Sequence, residues 1–91
     1  MSTAALLRDP LATRRVVVPA ADRVAVQDHL CGLASADQVL HRAGLTLRAQ
    51  SANRPEVSVT LTNDVIQRAV NSFNNRPAEI RRLARYFQEA K

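Results

Sequence analysis

The chain has 91 residues and a mass of 10.0 kDa, which is enough for one domain but not for two, because two would each bury too little apolar surface. No apolar run approaches the roughly 18 residues of a membrane-spanning helix, which excludes a transmembrane protein. The net charge of +5 rests on twelve arginines and one lysine and favours an anionic partner, although a GC-rich genome would also enrich arginine.

Residues 1–12 are expected to form a mobile tail. The segment contains Pro10 and lacks the basic start of a signal peptide, so we expect a cytoplasmic protein. The single cysteine cannot form an internal disulfide and agrees with a reducing compartment. Residues 13–91 are then one domain, made of a half at 14–50 and a half at 57–90.

The first half is expected to begin with a strand and a helix. Residues 14–19 contain three consecutive valines, whose branched side chains favour an extended backbone, and Pro19 ends the strand. Residues 20–31 have a helical spacing of apolar side chains, with Asp22 as the N-cap and Gly32 as the stop signal.

A second helix and a second strand are predicted to follow. Ser35 and Gln38 have the spacing of a capping box, in which each side chain satisfies a free backbone N–H of the first turn. Gly44 then marks the end of this helix. Leu45–Gln50 alternates strictly between apolar and polar residues, which is the pattern of a half-buried strand.

The second half repeats the order strand, helix, helix. Val57–Thr62 alternates again, and Asn63 is placed to cap a helix that runs to about Phe73. Pro77 suits the first position of a last helix, which extends to about Ala90. The predicted fold class is α+β, a small single domain of short strands and about four helices.

The two halves also hint at an internal duplication. A displacement of 41 residues places Val16 on Val57 and Val18 on Val59, although few other side chains match.

The sequence contains no pattern of a catalytic or metal site. His29 and Cys31 lie on different faces of their helix, and with His41 they have no usual metal-ligand spacing. The chain has two glycines and no glycine-rich phosphate loop. We therefore expect a protein that is not an enzyme and needs no cofactor or metal.

The sequence of the second half reads VSVTLTNDVIQRAVNSF, then the turn NNRP, then AEIRRLARYF. This order of an alternating strand and two amphipathic helices resembles a ribbon–helix–helix DNA-binding domain. In that family the strand pairs with the same strand of a second subunit, and the ribbon enters the major groove. The resemblance implies an intertwined homodimer that binds duplex DNA, as a transcriptional repressor or as a plasmid or phage accessory factor.

The resemblance also implies a role for particular residues. The base-contacting side chains would be Ser58, Thr60 and Thr62. Asn75 and Arg76 at the turn, together with Arg81, would contact phosphates. The shared dimer core would contain five apolar residues, namely Ile66, Val70, Ile80, Leu83 and Phe87.

Two alternatives stay open. Leu45–Gln50 and Val57–Thr62 could pair as an intrachain hairpin, even as the wing of a winged helix, instead of forming a ribbon between subunits. The chain could also be a non-catalytic adaptor whose basic C-terminal helix, with Arg81, Arg82 and Arg85, docks on an acidic partner. Besides duplex DNA and a second copy of the chain, a second protein could bind through the N-terminal half, and no membrane partner is expected.

Overall fold

The structure, a computed structural model, describes residues 9–50 and 53–91. Its two strands form one antiparallel sheet, and its helices pack against that sheet, which confirms the predicted α+β class. In chain order the elements are β1 (Thr13–Pro19), α1 (Ala20–Cys31), α2 (Gln38–Arg48), β2 (Glu56–Thr62), α3 (Asn63–Asn74), α4 (Ala78–Arg81) and α5 (Ala84–Gln88).

The sheet is a two-stranded ribbon with one buried and one outer face. Thr13 pairs with Thr62 at one end and Pro19 pairs with Glu56 at the other. Because successive side chains of a strand point to opposite faces, every second residue enters the core. The buried face contributes Val16, Val18, Val57 and Leu61. The outer face carries Thr13, Arg15, Val17 and Pro19 of β1 opposite Thr62, Thr60, Ser58 and Glu56 of β2.

The partner of β2 differs from both expectations. β2 pairs with β1 of the same chain, whereas we expected either a second subunit or Leu45–Gln50. The predicted strand at Leu45–Gln50 is wrong, because helix α2 continues to Arg48. The alternation of this segment was misleading, since Leu47 also belongs to a helical stripe of buried residues, with Leu40, Ala43 and Gly44.

Gly44 lies inside α2 and does not end it, contrary to the prediction. A Cβ atom at this position would come within 2.9 Å of the Cys31 backbone nitrogen, the Cys31 Sγ and the Leu30 Cβ. The glycine therefore allows α1 and α2 to approach closely. The N-terminus of α2 also differs from the prediction. Its N-cap is Asp37 instead of Ser35, and the Asp37 side chain accepts a hydrogen bond from the Leu40 amide at 3.1 Å.

The N-caps and the last helix also depart in detail from the sequence analysis. Pro19 and Thr62 are the N-caps of α1 and α3, so the predicted caps at Asp22 and Asn63 are wrong. The single helix expected from Pro77 to about Ala90 is divided into α4 and α5. Between them the backbone hydrogen bonds span three residues instead of four, as in a 3₁₀ helix.

The strand and first helix of one half match those of the other half, whereas the second half has α4 and α5 where the first half has α2 alone. Both strands have 7 residues, and each runs directly into a helix of 12 residues. The displacement is 43 residues for the strands, from Thr13 to Glu56, and also for these helices, from Ala20 to Asn63. The repeat is thus present in the architecture, with a displacement of 43 instead of 41 residues. We call residues 43 positions apart counterparts.

Hydrogen bonds between the halves also repeat when the halves are exchanged. The Ala20 amide donates to the Pro55 carbonyl oxygen at 3.1 Å, and the Asn63 amide donates to the Ala12 carbonyl oxygen at 2.9 Å. Ala20 and Asn63 are counterparts, and so are Ala12 and Pro55. The first bond therefore becomes the second when each residue is replaced by its counterpart.

Two residue pairs locate the axis of this approximate twofold relation. Val16 pairs with its own counterpart, Val59, in the middle of the ribbon. His29 of α1 forms a hydrogen bond with its own counterpart, Ser72 of α3. A residue that meets its own counterpart must lie near the axis, so the axis passes through the ribbon and between the ends of α1 and α3.

Both outer edges of the ribbon carry contacts. The Gln50 side-chain amide donates to the Ser58 carbonyl oxygen and accepts from the Ser58 backbone N–H. On the opposite edge the Lys91 backbone N–H donates to the Arg15 carbonyl oxygen at 3.0 Å. Ser58 and Arg15 are counterparts, but their partners are not, since Gln50 and Lys91 lie 41 residues apart and bond in different ways.

The last residues of the predicted mobile tail contact the domain. Besides the Ala12 contact, the Asp64 amide donates to the Pro10 carbonyl oxygen, and the Asn63 side chain donates to the Asp9 carbonyl oxygen. Residues 1–8 of that predicted tail lie outside the described part of the chain. Within residues 9–50 and 53–91, every helix is too short or too polar to cross a membrane.

Candidate nucleic-acid interface

The candidate interface is the outer face of the ribbon. Arg15 is exposed and stands opposite Thr60, which is exposed as well. Val17 and Ser58 face each other in the next pair, and both are half-buried. Because the Arg15 carbonyl points outward to Lys91, these pairs are the non-hydrogen-bonded ones, whose side chains lie closest together.

The three residues predicted to contact bases share this face but differ in exposure and in the hydrogen bonds that they already form. Thr60 is exposed. Ser58 is half-buried, and its backbone is fixed by Gln50. The Thr62 hydroxyl donates to the Asp64 carboxylate at the start of α3, and this bond is the main cause of the lowered pKa of Asp64. Thr60 is therefore the most accessible of the three hydroxyls.

Arg15 was not among the residues predicted from the sequence. It is the one arginine on the outer face of the ribbon. Val16 and Val18 of the same strand point to the opposite face and are fully buried. Alternation within residues 14–19 was the available signal, since it places Arg15 and Val17 on one face. That signal pointed to an interface only once β1 was known to pair with β2.

The residues predicted to contact phosphates are exposed. Asn75 and Arg76 form the turn after α3, and Arg81 ends α4. α3 has 12 residues, so this turn lies about 18 Å along the helix from the ribbon. Arg76 borders a shallow cleft of about 300 Å³ lined also by Ala25, Asp28, His29 and Ile80.

The corresponding turn of the first half has the opposite charge. Asp37 caps α2 there, and its carboxylate accepts from the Arg68 guanidinium at 2.9 Å. This bond, more than the backbone bond from Leu40, holds the pKa of Asp37 below its usual value despite some burial. The turn before α2 thus ends in a carboxylate, whereas the turn before α4 carries Arg76, and the two turns offer different surfaces to an anion.

Two arginines of the last helices make contacts within the chain. Arg82 binds the Asp22 carboxylate with two guanidinium nitrogens, at 2.8 and 3.0 Å. The Tyr86 hydroxyl donates to the same carboxylate. The bond from Arg82, followed by that from Tyr86, lowers the pKa of Asp22 to about 2. Arg85 lies over the Tyr86 ring, 5.2 Å from its centroid.

The five residues assigned to a shared dimer core pack within one chain. Phe87 and Leu83 are fully buried, and the Phe87 ring lies 5.3 Å from that of Phe73. Ile80 is partly buried against the same core. The other two, Ile66 and Val70, are buried on α3. These side chains belong to one core that also contains Val16, Leu30 and Leu40 of the first half.

A groove of about 430 Å³ borders the outer face beside β1. Arg15 and Lys91 contribute positive charge to it, while Glu56 and Glu89 contribute negative charge. Its remaining lining comes from Val17, Pro19 and Tyr86. The mixed charges give this flank of the ribbon little net preference for an anion.

The histidines and the cysteine stay apart from this face. His29 packs against the Phe73 ring at 4.2 Å and bonds to Ser72, and burial is the main cause of its lowered pKa. The His41 ring nitrogen Nδ1 forms a hydrogen bond with the backbone carbonyl oxygen of Cys31 at 2.9 Å, and not with its thiol. Among the described residues, no group of three potential ligands could hold a metal ion.

Comparison of the chain with protein-family models, with curated proteins and with solved structures gave no match.

Proposed function

We propose that this protein binds duplex DNA with the outer face of the β1–β2 ribbon. The observation that carries the proposal is the ribbon itself, which lies on the approximate twofold axis between two strand–helix–helix halves. The ribbon–helix–helix domains that residues 57–90 resemble assemble such a ribbon from two subunits. Here one chain supplies both strands.

The dimensions and the chemistry of the face suit a major groove. A two-stranded ribbon fits into the groove of B-DNA, where base edges present hydrogen-bond donors and acceptors. Arg15 and Thr60 are exposed side chains that can donate to base edges, and Ser58 lies beside them. Asn75, Arg76 and Arg81 are exposed on the second half and are available to flanking phosphates.

The net charge of +5 would add a general attraction to the phosphate backbone. We also propose a cytoplasmic location, with which the single cysteine, unable to form an internal disulfide, agrees. The adaptor alternative has weaker support, because Arg82 is bound to Asp22 and Arg85 lies on Tyr86. Those two guanidinium groups would have to leave their present contacts to serve an acidic partner.

Fluorescence anisotropy with a labelled random-sequence duplex tests the proposal. We expect binding at low salt that weakens steeply between about 50 and 200 mM salt. Reversal of charge on the outer face, in Arg15→Glu, should weaken binding by about tenfold. The control is Arg42→Glu, because Arg42 is exposed in the middle of α2, outside the ribbon and both turns.

Absence of duplex binding at low salt would overturn the proposal. Equal losses in the Arg15 and Arg42 variants would also overturn it, since they would mean attraction to net charge alone. In either case the basic surface would be tested next against acidic proteins.

A further inference from the structure

We infer that a single copy of this chain recognises a non-palindromic duplex site, and that Arg15 reads a guanine on one side of its centre. This inference rests on the proposed function. It concerns how the ribbon chooses its site, whereas the proposed function concerns whether the ribbon binds DNA at all.

The asymmetry follows from the outward residues of the two strands. Under the 43-residue displacement, Arg15 of β1 corresponds to Ser58 of β2, and Val17 corresponds to Thr60. Thr13 corresponds to Glu56, so this pair differs as well. A dimer of identical subunits presents the same side chains on both sides of its axis and therefore matches a palindrome. This ribbon presents different chemistry on its two sides.

Arg15 is the outward side chain with the greatest power to discriminate. Its guanidinium group can donate two parallel hydrogen bonds to O6 and N7 of guanine, a pattern that no other base pair presents in the same way. The hydroxyls of Ser58 and Thr60 can contact several bases and discriminate weakly. Val16 and Val59 mark the centre of the ribbon, so Arg15 lies one residue to one side of it.

The turns outside the ribbon reinforce this polarity. The turn of the second half has Arg76, and Arg81 follows at the end of α4. The turn of the first half has the Asp37 carboxylate, bound to Arg68. A phosphate is attracted by the first arrangement and gains less from the second. The orientation of the chain on the duplex would thus be fixed by bases and by backbone together.

A single copy is sufficient because the ribbon is complete within one chain. Both strands, the helices behind them and the edge contacts of Ser58 and Arg15 belong to the same molecule. The contacts at Ser58 and at the Arg15 carbonyl occupy part of each edge, and the ribbon needs no strand from a second copy to be complete. We therefore expect one chain per site.

The test selects bound duplexes from a random library and determines the mass of the complex by light scattering. We expect an asymmetric consensus with a guanine on one side of its centre, bound by one chain. Arg15→Gln should lower affinity for this consensus by about tenfold and remove the preference for guanine. Arg42→Gln, the charge-matched control, should leave the preference unchanged.

An exchange variant gives a sharper readout. In Arg15→Ser/Ser58→Arg the arginine moves to its counterpart position, and the preferred guanine should move to the other side of the centre. Circular dichroism checks that this variant folds, and the exposed Arg15→Gln variant carries the test if it does not.

The outcomes separate the two proposals. A palindromic consensus bound by two chains, or an unchanged guanine preference in Arg15→Gln, would overturn the inference while leaving DNA binding intact. Failure to bind any duplex at low salt would remove the proposed function instead.

Discussion

The Nε2 atom of His29 lies 2.8 Å from the Oγ atom of Ser72, and the two residues occupy equivalent positions in the two halves of the chain. The contact therefore lies near the approximate twofold axis, at the ends of α1 and α3. The His29 ring also lies 4.2 Å from that of Phe73, one residue further along α3. One partly buried imidazole thus connects the two halves at a single point.

Stability should fall as pH decreases through the range in which histidine titrates. Burial, followed by repulsion from Arg76, lowers the pKa of His29 from 6.5 in the folded state. The unfolded chain therefore binds the proton more readily. The free energy of unfolding should be constant above about pH 6.5 and should decrease as pH falls below that value. The decrease should end below the pKa of His29 in the folded state, where both states bind the proton. Urea unfolding on both sides of pH 6.5 measures this change.

Replacement of the ring identifies its source. His29→Gln should reduce the pH dependence in this range, while His41→Gln should retain it. An equal pH dependence in the wild type and in His29→Gln would assign the effect to another group.

Gly44→Ala should destabilise the fold by about 1–3 kcal/mol, because the added Cβ would lie 2.9 Å from atoms of Cys31 and Leu30. Alanine favours a helix over glycine by about 1 kcal/mol, so a neutral or stabilised variant would show that the helices can separate at little cost. Gly32→Ala is the control. Its Cβ would meet only backbone oxygens of α1, at 3.3 and 3.5 Å, and its unfolding free energy should change by less than about 0.5 kcal/mol.

Asp22→Asn should lower the free energy of unfolding by about 1 kcal/mol, because the bonds from Arg82 and Tyr86 lose their ionic character. The same carboxylate adds an acid dependence. Its pKa falls from 3.8 to about 2 on folding, so its contribution is present above pH 3.8 and is lost as pH falls toward 2. Chemical denaturation at neutral and acidic pH tests both statements. Asp28→Asn, an exposed change on the same helix, should have little effect on either.

Glu56→Gln should tighten duplex binding by about threefold at low salt. Glu56 is the one carboxylate on the outer face, and it would lie near phosphates or base edges in the proposed complex. Asp28→Asn removes the same charge about 12 Å along α1 from the ribbon and should have a smaller effect. The anisotropy titration used for Arg15 measures both variants. Weaker binding by Glu56→Gln would contradict this orientation of the ribbon and indicate that the carboxylate accepts from a base.

Much of the fold could be predicted from local patterns. The valines of β1, the stop at Gly32 and the apolar stripe of α3 each depend on neighbours within one or two turns. The continuation of α2 to Arg48 was not predictable in this way, because Leu45–Gln50 fits two periods and Gly44 imitates a stop. Whether residues 45–48 form a helix or a strand depended on the packing of α2 against α1, where only a glycine fits beside Cys31.

The candidate site was only half visible in the sequence. Alternation placed Ser58 and Thr60 on one face, as the structure does. It could not show that β1 lies beside them, because the two strands are separated by two helices in the chain. The resemblance to ribbon–helix–helix domains predicted that β2 pairs with a second subunit instead of with β1. Arg15 of β1 was therefore not predicted as part of the site. The same pairing places Phe87 and Leu83 in the core of one molecule.

The side chain of Gln50 has the same donor and acceptor as a peptide unit, and it occupies both backbone groups of Ser58. A sheet edge with unpaired groups is a template on which further chains can add strands and aggregate. At Ser58 the Gln50 side chain occupies the backbone N–H and carbonyl groups that a further strand would need. A side chain offers no second row of backbone groups, so no strand can be added there. Loss of this amide, as in Gln50→Ala, would reopen the edge of β2 and should make the protein less soluble at high concentration without altering its core.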